Sequence, residues 1–201
     1  RFLLFNEYIF PDEIWVCDKF AFSKARQIFQ NIKLKLKKNY YLDNITKEIF
    51  QKQKKNSQKK SLKRILYIGE NIAEHNLKQH GDPRYLGYTE VDAFNYFLTN
   101  IKLFPEINQI LIRKHPSENN SYIWAQKLSN LVKISNEKNT LLDDIFNSDI
   151  VIGCESMAMI VALLSSKIVV SIIPPRGRKC VLPHDKIIHL SNLVQNNKKI
   201  I

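Results

Sequence analysis

An α/β fold built on a parallel sheet is what this sequence predicts, and three observations carry the prediction. Residues 65–201 alternate short apolar runs with segments of helical spacing. The apolar runs are hydrophobic throughout, which is the pattern of strands buried on both faces. The helical segments between them supply the crossovers that parallel neighbours require. The fold class is therefore a Rossmann-like, doubly wound parallel sheet, preceded by a short βαβ-like segment.

Each element has its own signal. EIWVCD (13–18) and IKLKLK (32–37) read as strands around a helix over 21–29. This unit is expected to be the tail of a first α/β domain covering 1–45. QKQKKNSQKKSLKR (51–64) is rich in Lys and has no apolar periodicity, so 46–64 is expected to be a basic linker. The main domain then spans 65–201.

Within it, ILYIG (65–69) is a short strand. Residues 88–102 form a helix, with Val91, Phe94, Phe97, Leu98 and Ile101 on one face. QILIRKH (109–115) is a strand with a basic end, followed by a helix over 122–131 and a strand LVKIS (131–135). Thr140 and Asp143 have the spacing of a capping box and open a short helix. DIVIG (149–153) is a strand, 156–165 an apolar helix with Ser156 as N-cap, and KIVVSII (167–173) a strand ended by Pro174 and Pro175. KIIHL (186–190) is read as a last short strand.

Composition narrows the class. The chain has 201 residues, 44% hydrophobic and 25% charged, as in ordinary globular proteins. Its 31 basic and 19 acidic side chains give a formal charge of +12, which favours anionic partners. Cys17, Cys154 and Cys180 are odd in number and far apart, so neither a disulfide framework nor a metal spacing emerges; a reducing, cytoplasmic compartment is expected. No apolar run approaches the roughly 18 residues of a membrane span. The chain opens on Arg1 within an apolar run, FLLF, and reads as a piece of a longer protein, not as a signal peptide.

The chemistry is expected where strands end, because open parallel sheets bind ligands at their carboxyl edge. In IRKHPSE (112–118) an apolar strand runs into Arg113, Lys114 and His115, and Pro116 forbids continuation. Arg113 and His115 alternate with Lys114 and so share a face, and cations there suit a phosphate. Ser117 joins this phosphate set. In VIGCESMAMIVALL (151–164) a strand leads through a tight turn to a helix headed by Ser156 and Met157, where free N–H groups favour an anion. Gly69, Glu70, Glu118 and Glu155 are expected as ribose or acceptor contacts. The sequence has neither GxGxxG nor a P-loop, and no catalytic residue is assigned. PPRGRKCVLPH (174–184) is read either as an exposed loop or as a mobile flap bringing Arg176, Arg178 and Lys179 to a phosphate or acidic acceptor.

With these residues in view, the chain resembles the nucleotide-binding half of GT-B glycosyltransferases. It is most similar to bacterial sialyltransferase-like and polysialyltransferase-like enzymes. LIRKHPSE and DIVIGCESMAMIVALLSSKIVVSI carry the resemblance, which covers about 65–190. It implies that His115 and Ser156 hold the phosphate of a CMP-linked sugar donor, with no further cofactor and no metal. It also implies an acid/base carboxylate on a preceding Rossmann domain, of which 1–45 resembles only the tail. The paired-acid-then-Gly motif of those enzymes is absent, so the catalytic base is expected outside this chain. The expected partners are the nucleotide-sugar donor and a glycan or lipid-linked acceptor, with peripheral contact at the inner face of the membrane. Two other readings stay open: a sugar-nucleotide epimerase on the same fold, and a basic non-enzymatic module for nucleic acid or membranes. Against nucleic acid, no basic strand interleaved with aromatics is present.

Overall fold

The computed structural model of the protein describes residues 11–55, 63–118, 122–136, 138–182 and 184–200. The apolar run at 1–10 and residues 56–62 of the expected linker lie outside these. The chain divides into two compact units, Arg1–Asn44 and Ile45–Ile201.

In the first unit, β1 (Glu13–Val16) and β2 (Lys33–Leu36) pair in parallel, with Glu13 opposite Lys33. Between them lies α1 (Lys19–Ile28). It starts two residues before the expected 21, because Asp18 caps it by accepting from the Ala21 N–H at 2.7 Å.

The linker expectation needs correction. Helix α2 (Tyr40–Lys55) runs through the first half of 46–64, and strand β3 (Lys63–Ile68) takes its last two residues. Ile45 and Ile49, one turn apart, supply the apolar contact that orders α2; Ile49 is fully buried in the core of the second unit.

The second unit continues with α3 (Ile72–His80), α4 (Glu90–Thr99) and a 3₁₀ turn (Ile101–Leu103). Strand β4 (Ile107–Arg113), α5 (Ile123–Leu128) and β5 (Val132–Ile134) follow. Next come α6 (Leu141–Asn147), β6 (Ile150–Gly153), α7 (Met157–Leu164) and β7 (Ile168–Ser171). The last elements are β8 (Ile188–His189) and α8 (Leu190–Gln195). The capping box of Thr140 and Asp143 is present, and Ser156 caps α7.

The six strands are parallel and ordered β5-β4-β3-β6-β7-β8. Counted from β3, this is the order 3-2-1-4-5-6 of the Rossmann fold. Successive residues face opposite sides, and both sides are covered. Ile65, Tyr67, Ile110, Ile112, Ile150 and Ile152 pack with Phe94 and Phe97 of α4 and Ala125 of α5. Leu66, Ile68, Val151 and Val169 pack with Ile145 of α6, Met159 and Ile160 of α7, and Ile49. Helices α3, α4, α5 and α8 thus cover one face, and α2, α6 and α7 the other. At about 25 cal/mol per Å² of apolar surface, these two layers dominate the stability of the unit. The topology places a crevice where β3 and β6, neighbours in the sheet but distant in sequence, send their chains to opposite faces.

Candidate functional site

A cavity of about 520 Å³ occupies that crevice. Four strand ends line it: Glu70 and Asn71 after β3, His115 and Ser117 after β4, Glu155 and Ser156 after β6, and Arg178 after β7. Helix α3 lines the remaining wall with residues that include His75, Gln79 and His80.

His115 is held from one side only. Its Nδ1 accepts from the Ser117 backbone N–H at 3.2 Å and lies 2.8 Å from Ser117 Oγ. An Nδ1 that accepts from a backbone N–H leaves the ring proton on Nε2. Nε2 has no partner among the described residues, so a donor N–H is available at the cavity. The backbone N–H of His115 is fixed by Glu118 Oε2 at 3.2 Å.

At the start of α7, Ser156 Oγ accepts from the Ala158 N–H at 3.3 Å and keeps its own O–H to donate. Immediately before it, the Cys154 and Glu155 N–H groups donate to Glu70 Oε1 at 2.8 and 3.0 Å. Burial pushes the Glu70 carboxyl up to about 7 against these lowering bonds, and the charge of Glu155 adds to the rise.

The expected site residues therefore separate. His115, Ser117, Ser156, Glu70 and Glu155 meet in one cavity. Arg113 does not line it: its guanidinium donates to the buried Asp144 at 2.7 Å and to the Asn139 carbonyl at 3.0 Å. Alternation placed Arg113 and His115 on one face, but the strand ends at Arg113 and the alternation ends with it. Glu118 is buried beneath the site, where its carboxylate accepts from Tyr122 Oη at 2.5 Å; burial is the main cause raising its pKa. Gly69 does not line the cavity either. Its N–H donates to the Arg113 carbonyl at 2.7 Å, and a Cβ there would lie 2.5 Å from Glu118 Oε2. The side chain of Met157 is 62% exposed and outside the cavity.

The Pro/Gly-rich loop brings in one of its three cations. Arg178 pairs with Glu155. The loop is anchored: the Arg178 N–H donates to the Leu86 carbonyl at 2.9 Å, and Gly87 (φ 83°) lies against the Arg176 carbonyl. The other end of this loop, at Pro183, lies outside the described residues.

Sequence reasoning missed the α3 wall. Asn71 Nδ2 donates to the Ser117 carbonyl at 2.8 Å and to Glu74 Oε2 at 2.8 Å, joining the β3 and β4 ends. Glu90, buried in the first turn of α4, accepts from the Ala73 N–H at 2.9 Å and so caps α3. Only Ile72 and Asn76 of α3 are buried, so no apolar stripe announced it. The one available signal was Gly81, which ends the helix at φ 72°.

No protein-family model matches the chain, and no curated protein matches it. Among solved structures, the chain is similar to the β-Kdo 2,4 transferase of KpsC from Thermosulfurimonas dismutans, with 14% identity, TM-score 0.48 and coverage of 82% of this chain and 54% of that one. Its β-Kdo 2,7 transferase gives 15% identity, TM-score 0.47 and coverage of 89% and 54%. The wall teichoic acid polymerase TagF, in a structure soaked with CDPG, gives 14%, 0.38, and coverage of 80% and 37%. This chain spans about half the length of the two transferases.

Proposed function

We propose that the second unit is the donor-binding half of a glycosyltransferase and holds the phosphate of a nucleotide-linked sugar, CMP-linked by the sequence resemblance. The observation that carries the reading is that His115 and Ser156, picked out by their motifs, line one cavity at the β3–β6 crevice. His115 offers Nε2–H and Ser156 its O–H, both from residues that line the cavity. These donors are available where a departing nucleotide phosphate would gather charge. Each such donor is worth on the order of 3 kcal/mol of transition-state stabilisation. Arg178 is within reach if the phosphate competes with Glu155 for it.

The catalytic base lies elsewhere in this reading. All three carboxylates lining the cavity are engaged: Glu70 by backbone N–H groups, Glu155 by Arg178, and Glu74 by Lys78 and Asn71. The acceptor is a glycan or lipid-linked glycan of a cell-surface polymer, met at the membrane's inner face. Among the described residues, no helix is long and apolar enough to cross a membrane.

Calorimetric titration of CMP and UDP into the wild type and His115→Ala tests the reading. CMP binding that is lost or sharply weakened in the variant supports it. Undiminished binding of both nucleotides removes His115 from the site.

A further inference from the structure

The end of the cavity away from His115 is built from rings. His80, the last residue of α3, and Tyr85 stack with centroids 3.6 Å apart and planes 14° apart. Both line the same cavity as His115 and Ser156. Tyr85 is 57% exposed, so one side of its ring is open to a ligand.

Tyr85 is held in place by its loop. Its N–H donates to the Asp82 carbonyl at 3.2 Å, and the Gly87 N–H donates to the Arg84 carbonyl at 2.6 Å. Arg84 pairs with Asp92 of α4 at 2.8 Å. Asn76, 2% exposed, reaches the Pro83 carbonyl at 3.4 Å. A pre-ordered aromatic ring offers contact area at little entropic cost.

We propose that the His80–Tyr85 pair is a ledge for the nucleobase, with the outer face of Tyr85 stacking on the base while the His115 end takes the phosphate. This rests on the nucleotide reading above and adds to it the residue that grips the base. The spacing fits. Asn71 touches Ser117 at the start of α3, and His80 lies nine residues on, about 13 Å along the axis. A phosphate, a ribose and a stacked base, with a contact at each end, span a gap of that order. Gln79 also lines the cavity, and its carboxamide can both donate to and accept from a base edge.

The test is calorimetry on the full chain with CMP, ribose 5-phosphate and a CMP-linked sugar, using wild type, Tyr85→Ala and Tyr85→Phe, with melting curves to establish folding. Stacking predicts that Tyr85→Ala weakens CMP by about tenfold or more, leaves ribose 5-phosphate within about twofold, and that Tyr85→Phe keeps most of the CMP affinity. Unchanged CMP binding in Tyr85→Ala overturns the ledge and leaves the phosphate site standing. Equal losses for CMP and ribose 5-phosphate overturn it in favour of a loop-positioning role. A loss confined to the CMP-linked sugar overturns it in favour of a sugar contact. A Tyr85→Phe variant as weak as Tyr85→Ala assigns the effect to the hydroxyl and also overturns stacking. If the wild type binds none of the three ligands, the nucleotide reading itself falls, and the ledge with it.

Discussion

The carboxylate of Glu70, just past the end of β3, accepts from the backbone N–H of Cys154, just past the end of β6, at 2.8 Å. This bond ties the two strand ends that form the crevice. It also places a protein carboxylate on amides of the kind that hold phosphate oxygens in other α/β proteins. Glu70 thus orders the turn that presents Ser156, at the cost of a partly buried charge.

That cost gives a pH dependence of stability. The folded pKa of Glu70 is raised to about 7 from 4.5. Between these values the folded state binds more protons than the unfolded one, so stability falls as pH rises from about 4.5 to 7 and is level above. The expected loss from this group is about 3 kcal/mol. Glu70→Gln keeps the shape without the titration. Urea unfolding of both proteins at pH 5 and pH 8 should show a smaller drop in the variant; equal drops assign the pH dependence to other groups.

Arg113 and Asp144 separate stability from binding. Asp144 is 1% exposed and accepts from Arg113 Nη1, from Ser135 Oγ at 2.6 Å and from Asn139 Nδ2 at 3.2 Å. Removing one partner of a buried pair costs about 3–5 kcal/mol, so Asp144→Ala should lower the urea midpoint strongly. On the donor-binding reading proposed above, Arg113→Gln should leave CMP affinity within about twofold, under about 0.5 kcal/mol. A tenfold loss in Arg113→Gln would mean that the guanidinium leaves Asp144 to meet the ligand.

Much of this arrangement was legible before any coordinates. The strands of the sheet announced themselves because burial on both faces makes them apolar without alternation, as in Ile110–Ile112 and Ile150–Ile152. Thr140 and Ser156 marked their helix starts because a cap is a local contact between residues near in sequence. His115 and Ser156 could be assigned to one edge because parallel strands end together. What stayed hidden depends on contacts distant in sequence. Nothing local says that Arg113 will meet Asp144, that Glu70 will meet Cys154, or that Glu90 will cap α3. The α2 helix was misread because its ordering contact is one pair, Ile45 and Ile49, at the edge of a polar stretch.

Gly69 is required by packing under the site. A Cβ there would sit 2.5 Å from Glu118 Oε2, 3.1 Å from the Arg113 carbonyl and 3.2 Å from the His115 N. Glu118 cannot swing aside cheaply, since Tyr122 and the His115 N–H hold its two oxygens. Overpacking of this kind costs about 1–3 kcal/mol. Gly69→Ala should lower the melting temperature and also weaken CMP, because the displaced atoms include the His115 backbone. Truncating Glu118 as well should make the added methyl less costly than it is in the wild-type background. Equal costs in the two backgrounds would show that the clash is with the β4 backbone alone.

Gly87 controls the loop that carries Arg178. Its φ of 83° is a left-handed conformation that L side chains rarely adopt, and a Cβ would lie 2.4 Å from the Arg176 carbonyl. Gly87→Ala therefore faces strain of about 1–3 kcal/mol and a backbone collision together. The collision is relieved most readily by moving the loop outward, since Pro175 and Arg176 are exposed. Moving it draws Arg178 away from Glu155. The expected outcome is faster proteolysis within 174–182 and weaker CMP binding than in Arg178→Gln, because the variant displaces the loop as well as the cation. If Gly87→Ala is cleaved no faster than wild type, the loop has stayed anchored and the strain has been absorbed within the turn at Arg84–Gly87.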